Sequence, residues 1–596
     1  MPLARPFMCS AALIAAAVAA FPMPAAGGEG AAPPNVVLII TDDQGWGDLG
    51  FHGNSAIRTP RLDRLVSEGV RFERFYVSPV CAPTRSSLLT GRWNYRTGVL
   101  DTYIGRALMF PDEVTLAQVL RAAGYRTGIF GKWHLGDNFP LRPIDRGFDE
   151  ALVHRGGGIG QPSDPPGGTS YFDPVLFRNG RPVKMRGYCS DIFADGAARF
   201  VEESRSRPFF LYLAFNAPHG PLEVPDGSVR PYRDADLSPS RLPKGGHPVS
   251  EPDAKLREQI ARTYAMVTNI DDNVARLLAK LDELDLARRT IVIFLTDNGT
   301  DGPRWNGGLR DRKGSVFEGG IRVPCFLRWP GVVSAGRAVD RIAAHVDMVP
   351  TLLEACGVAP PAGVRLDGRS LWPLVLGRDV PWPDRTLFFQ WHRGETVDMY
   401  RAFAARTQRW KLVQPLGVAP GPPPKDPKLL LFDMEKDPFE MEDVAAAHPE
   451  VVAELKAAYE AWFRDVTGER KFAAPRIAVG SDRADPVDLT RQDWLGPKAG
   501  WAPRDLGHWE VEVLRAGPYR VELRFAAPKG TAKGAGTAKA RFEIGAMRLE
   551  REVPAGATSI VFESVRLPEG PGDLKATIED AEGEYGAHQV TLARWR

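Results

Sequence analysis

Two short clusters of oxygen-bearing side chains stand at the ends of apolar runs. Asp42 and Asp43 follow Asn35-Val-Val-Leu-Ile-Ile40 through Thr41, and Asp297 and Asn298 follow Ile291-Val-Ile-Phe-Leu295 through Thr296. Continuous apolar, β-branched runs of this length read as strands buried on both faces. Ligands of open α/β sheets gather beyond the carboxyl ends of the strands. Two segments far apart in sequence can therefore bring three carboxylates and an amide to one crevice. That donor set suits a hard cation, Ca²⁺ or Mg²⁺, rather than a soft metal. A single Asp-Asp after a strand is an ordinary turn; the matched pair is what favours a metal. Asn298-Gly-Thr300 also fits the N-glycosylation pattern, a reading set aside because a glycan would occupy a proposed ligand.

A second group is Cys81-Ala82-Pro83-Thr84-Arg85, followed by Leu88-Leu-Thr90-Gly91-Arg92. Free cysteine is ordinarily a small buried hydrophobe, but beside a cation it can be an activated thiol. The residue types alone leave both readings open. The wider pattern is more specific. Cys-x-Pro-x-Arg with Leu-x-Thr-Gly-Arg, the two acidic pairs, Gly131-Lys132-Trp133-His134-Leu135-Gly136, Ala217-Pro218-His219-Gly220-Pro221, and Lys313-Gly314 through Glu318-Gly319-Gly320 to Pro324 occur together and in order. In this the chain resembles the type I, formylglycine-dependent sulfatases of the alkaline phosphatase superfamily, arylsulfatases among them, from Asn35 to about Phe463. Thr84 stands where that family more commonly has serine.

The resemblance implies that Cys81 is oxidised by a formylglycine-generating maturation enzyme to an aldehyde whose hydrate is the nucleophile. One diol oxygen attacks sulfur, the alcohol departs, and loss of the second hydroxyl proton expels sulfate and restores the aldehyde. It also implies a metal held by Asp42, Asp43, Asp297 and Asn298 with an oxygen of residue 81, acidifying the diol and neutralising sulfate. Arg85 is expected to stabilise the diol, and Lys132 and Lys313 to clamp sulfate oxygens. His134 is expected to act as base for the second hydroxyl and His219 as acid for the leaving oxygen. Taken singly, such lysines are solvated charges and such histidines structural; only their joint order supports these roles. His52, His154, His345 and His392 have no such support, and Trp391-His392-Arg393 as a pocket wall stays open.

The elements that must position these groups follow from periodicity. Strands are expected at 126–130 and 209–215, and helices at 60–69, 114–123 and 263–284, alternating into an α/β fold with a mostly parallel central sheet flanked by helices. Residues 156–168 and 224–252 read as loops. The catalytic α/β domain is expected over 35–380. A smaller α+β subdomain follows over 381–470, with strands at 387–390, 400–403 and 410–413 and a helix at 448–463. Alternating apolar and polar residues after Ala473 predict an added β-sandwich module over 473–596. It is expected to pack on the catalytic unit or bind glycan, and its removal to spare hydrolysis of a small aryl sulfate.

The charge balance, 76 Lys and Arg against 74 Asp and Glu, lacks the basic excess of a nucleic-acid protein. Arg5, the Ala-rich run 11–20 and the small residues after Pro22 read as a signal peptide over 1–26, implying a periplasmic or secreted protein. No later segment is apolar enough to span a bilayer. Five cysteines are too few for a disulfide scaffold, and at most one pair among Cys189, Cys325 and Cys356 fits beside a reactive Cys81. The expected substrate is a sulfated carbohydrate or an aryl sulfate. The alternatives are a formylglycine-dependent phosphodiesterase or phosphonate hydrolase, and, in another class, a non-catalytic sulfoglycan-binding protein.

Overall fold

The computed structural model describes residues 32–415, 425–529 and 538–595. The expected signal segment, Cys9 included, lies outside them. The first expected strand, Asn35–Thr41, is fully buried and sits near the middle of a ten-stranded sheet. It pairs in parallel with Thr290–Thr296 on one side and Phe209–Ala214 on the other. Arg126–Lys132 and Glu150–His154 extend the parallel core beyond Phe209–Ala214. Cys325–Arg328 runs antiparallel beside Thr290–Thr296, so the sheet is mixed toward its edges.

Period-two alternation divides these buried strands between two apolar layers. Val36, Leu38 and Ile40 face one, with Leu88, Leu89, Leu120 and Leu352 from helices; Val37 and Ile39 face the other, with Leu62, Phe193, Met266 and Ile270. The parallel strands all end toward one edge, and there the expected chemistry collects.

Several element boundaries differ from expectation. The long helix is Ala254–Glu283, because Asp253 caps it by accepting from Leu256 N at 2.8 Å and its first turns are polar. Residues 224–252 include a short helix, Asp226–Arg233. The helix expected from 114 starts at Leu116, where Thr115 and Gln118 form a reciprocal capping box. The strand expected at 400 begins instead at Phe403, since Tyr400 and Ala402 have φ of 62° and 46°.

The strands Leu387–Gln390, Phe403–Arg406, Trp410–Gln414 and Leu430–Asp433 form an antiparallel sheet. The helix Pro449–Gly468 lies on it, Tyr459 stacking on Phe403 at 3.6 Å between ring centroids. This layer shares one core with Tyr76, Trp93 and Phe317 of the larger part. After Ala473 come a six-stranded and a four-stranded sheet around Trp509, Val521, Phe542 and Leu592. Their core also takes in Ile104, Leu108 and Leu141. Cys81, Cys189, Cys325 and Cys356 are all free and buried, so the single disulfide allowed by sequence does not form. Among the described residues no helix is long and apolar enough to cross a membrane.

Candidate active site

The parallel register Thr41↔Thr296 sets Asp42 and Asp297 side by side one step beyond the sheet. Backbone bonds hold the step: Asp297 N donates to Thr41 O at 3.1 Å, and Asp43 N to the Asp297 carboxylate at 3.2 Å. Asp43 takes φ 66°, which turns the chain under the crevice. Its carbonyl accepts from Arg304 at 2.8 Å, and Arg304 is in turn paired with buried Asp48. Asn298 donates to Asp43 Oδ1 at 2.8 Å.

Cys81 is the first residue of the helix Cys81–Thr90, only 2 % exposed. Its Sγ lies with an oxygen each of Asp42 and Asp297 in a group whose atoms are all within 4.8 Å of one another. The helix dipole adds partial positive charge at this point. One turn on, the fully buried Arg85 donates to Asp297 Oδ2 at 2.7 and 3.1 Å and to Lys132 O at 3.1 Å. Lys132 ends its strand and bonds Asp42 Oδ2; Lys313 lies 2.6 Å from Asp43 Oδ1.

The two histidines are held differently. His134, at φ 61°, meets Thr102 O through Nε2 at 2.7 Å. A carbonyl only accepts, so Nε2 carries the proton, and the buried Nδ1 has no partner. His219 donates from Nδ1 to Gly220 O at 2.7 Å, leaving Nε2 facing the crevice 3.8 Å from Asp43 Oδ2. The structure thus gathers every residue singled out by sequence: Asp42, Asp43, Cys81, Arg85, Lys132, His134, His219, Asp297, Asn298 and Lys313. They line or underlie a cleft of about 480 Å³ reached by Cys81, His134, His219 and Lys313.

Burial raises the Asp42 carboxyl, but Lys132, His219, Arg85 and Lys313 together hold it far below the usual carboxylate range. Burial and the Asp42 charge push Asp297 up to about 7. Burial pushes the Cys81 thiol up, so an unmodified cysteine here is neutral and a poor nucleophile. Burial and Lys132 drive His134 well down, leaving the ring neutral.

The donor set fits a divalent cation. Asp42 Oδ1 and Asn298 Oδ1 are buried with no hydrogen-bond partner, an expensive condition for polar oxygens without a ligand. Three carboxylates and an amide oxygen are the ligands a hard ion takes.

Sequence reasoning missed several supporting groups. A Cβ on Gly157 would stand 2.5 Å from His134 Cε1, and one on Gly158 2.8 Å from His219 Cε1, so this loop lies on both rings only as glycine. The run Gly156-Gly-Gly158 was the available signal. Thr102, Asp48 and Arg304 carry no motif. Of the open segment, Trp391 and Arg393 line the cleft, whereas His392 bonds within its own loop, to Arg393 O at 2.9 Å and Asp398 N at 2.8 Å. His345 meets Ser78 Oγ at 2.9 Å in the core.

The sulfatase family model matches residues 34–358, and the model of the N-sulphoglucosamine sulphohydrolase C-terminal region matches 308–463. Steryl-sulfatase of Mus musculus is 32 % identical over 85 % of this chain and 94 % of its own length. Arylsulfatase A of Homo sapiens is 32 % identical over 72 % of this chain and 88 % of its own. Among solved structures, Ps i-CgsB in complex with k-i-k-neocarrahexaose superposes with a TM-score of 0.62 at 28 % identity, covering 73 % of this chain and 94 % of that one. The chain belongs to the sulfatase family, hydrolases of sulfate esters built on the alkaline phosphatase superfamily fold.

Proposed function

We propose that this chain is a formylglycine sulfatase that removes sulfate from a sulfated carbohydrate, acting in the periplasm or outside the cell. The observation that carries the reading is Cys81 at a helix N-terminus, grouped with Asp42 and Asp297 and opening into a cleft ringed by Lys313, His134 and His219. Oxidation of Cys81 to the aldehyde, by a maturation enzyme and its oxidant, turns a neutral buried thiol into a hydrated nucleophile. Because residue 81 is covered in the folded chain, maturation precedes folding.

Asp42, Asp43, Asp297 and Asn298 would hold Ca²⁺ or Mg²⁺, with an oxygen of residue 81. Bound there, the ion supplies Lewis acidity, drawing off sulfate charge and making a neighbouring hydroxyl more acidic. The chain's own groups do the rest. Arg85, fixed by Asp297 and Lys132 O, stabilises the diol. Lys132 and Lys313 hold sulfate oxygens as the ester approaches residue 81. His219, Nδ1 donating to Gly220 O, acts as the imidazolium and gives its Nε2 proton to the departing alcohol at the cleft mouth, leaving the neutral ring. His134 Nδ1, unprotonated and buried, takes the proton of the second hydroxyl, sulfate leaves, and the aldehyde is restored.

The saccharide assignment draws support from relatives. N-acetylgalactosamine-6-sulfatase of Homo sapiens is 32 % identical over 61 % of this chain, and Ps i-CgsB has been solved with a hexaose. Two measurements test the reading. Peptide mass spectrometry of active protein is expected to find formylglycine at position 81; full activity with only cysteine there refutes the mechanism. Side-by-side assays are expected to show sulfate esters hydrolysed faster than phosphodiesters, and the reverse order assigns the chain to phosphodiester chemistry.

A further inference from the structure

The last structural unit reaches into the cleft. Trp501, on the loop between Leu495 and His508, lines the same cavity as Cys81 and His219. It is 37 % exposed, unusual for so large an apolar ring. Tyr103 meets it edge-to-face, with centroids 5.4 Å apart and planes at 84°. The Arg393 guanidinium lies over Tyr103 at 4.5 Å and over Trp391 at 4.8 Å. Three parts of the chain, remote in sequence, thus build one wall.

This wall is braced on both sides. Asp101, buried, accepts from Trp391 Nε1 at 3.0 Å and from Arg393 Nη1 at 2.6 Å. The Trp501 loop is closed by paired backbone bonds between Leu495 and His508, at 2.7 and 2.9 Å. Trp494 Nε1 donates to Gly500 O at 3.1 Å, and Ala502 N donates to Asp505 at 2.7 Å. Buried Arg491 donates to the backbone carbonyls of Ala502, Pro503, Gly586 and Ala587. A buried cation so placed fixes the loop in one position. The loop carrying Trp501 is therefore held, and its exposed ring is presented to the cleft.

We infer that Trp501, Tyr103, Trp391 and Arg393 form a subsite for the alcohol part of the substrate, and that its occupant is a pyranose ring. This rests on the sulfatase reading above and extends it. A pyranose offers an apolar C–H face to an aromatic ring and a rim of oxygens to hydrogen-bond donors. The wall supplies both, the exposed ring of Trp501 as the apolar surface and Arg393, braced over the buried Trp391, as the N–H donor. A steroid or simple arene presents a broad apolar surface with few oxygens and leaves such polar groups unpaired, which costs affinity.

The full-length chain with Cys81→Ala, which cannot turn over, separates this proposal from the mechanism. An array of sulfated oligosaccharides is screened with it, and the tightest glycan is titrated against this protein and against versions also carrying Trp501→Ala or Trp501→Phe. Trp501→Ala is expected to weaken binding about tenfold or more, as truncation of a central aromatic contact does; Trp501→Phe is expected to retain part of the affinity. In matured protein, Trp501→Ala is expected to lower the ratio of kcat/KM for that glycan to kcat/KM for 4-nitrophenyl sulfate by a similar factor. Equal affinity of the Cys81→Ala protein with and without Trp501→Ala, retention of no glycan, or displacement of glycan by a micromolar steryl sulfate each overturns the pyranose subsite. A matured chain that hydrolyses no sulfate ester would refute the sulfatase reading, while the array comparison would still decide the subsite.

Discussion

His219 and His134 place the same side chain in opposite surroundings, and the difference predicts separable phenotypes. The glycine loop lies on both rings, but His219 is 17 % exposed at the cleft mouth while His134 is 2 % exposed. A sugar alcohol leaves poorly unless protonated as the ester bond breaks, whereas a nitrophenol leaves readily as its anion. His219→Ala is expected to slow hydrolysis of a sulfated sugar by about 10²–10⁴-fold, the range of general acid catalysis, and that of nitrophenyl sulfate far less. His134→Ala is expected to accumulate sulfated enzyme with either substrate, visible by intact-mass spectrometry after rapid quench. An equal slowing of both substrates in His219→Ala would make His219 a sulfate-binding residue rather than the acid.

At the scale of elements, the metal step depends on two strand ends staying in register. Asp297→Asn removes one carboxylate while leaving the Thr41↔Thr296 pairing untouched. It is expected to abolish turnover and the stabilisation conferred by added Ca²⁺ or Mg²⁺. A native site at a hundredfold excess of ion over its Kd gains about 3 kcal/mol, read as a rise in Tm that chelation reverses. An unchanged Tm response in Asp297→Asn would place the ion elsewhere. The glycine loop gives a second test. Gly157→Ala forces a methyl toward His134 Cε1 and is expected to impair turnover more than stability, measured as kcat against Tm.

These elements also show what was legible in the sequence. The parallel strands were readable because each is a continuous apolar run ending in a chemical motif, and the site residues because they sit in ordered, specific segments. Thr102, Asp48 and Arg304 were not. They act by bonds between separate segments, Arg304 to Asp43 O across 261 positions and His134 to Thr102 O across 32, and nothing local distinguishes them from ordinary polar residues. Tyr400 misled because its apolar pattern continues a strand while its positive φ breaks one.

For the whole molecule, the joint between the last unit and the catalytic part changes an expectation. Sequence periodicity made the residues after Ala473 look separable, so their removal was expected to spare a small aryl sulfate. Yet Ile104, Leu108 and Leu141 are buried in the core of that unit. Asn138 donates to Asp488 O at 2.9 Å, and Arg155 pairs with Asp488 at 3.0 Å. Gln492 Nε2 donates at 2.8 Å to Thr102 O, the carbonyl that also receives His134. Truncation after Ala473 strips cover from three aliphatic side chains, each worth about 1.5–3 kcal/mol when fully buried. It also frees the segment that orients His134 and carries Tyr103. The truncated chain is therefore expected to melt at least about 5 °C lower and to lose most nitrophenyl sulfate turnover. The full chain with Gln492→Ala isolates the second effect: its Tm is expected to change little while kcat falls, because the His134 carbonyl loses its outer anchor. Undiminished turnover in both proteins would show that the last unit neither shapes the catalytic centre nor holds it together.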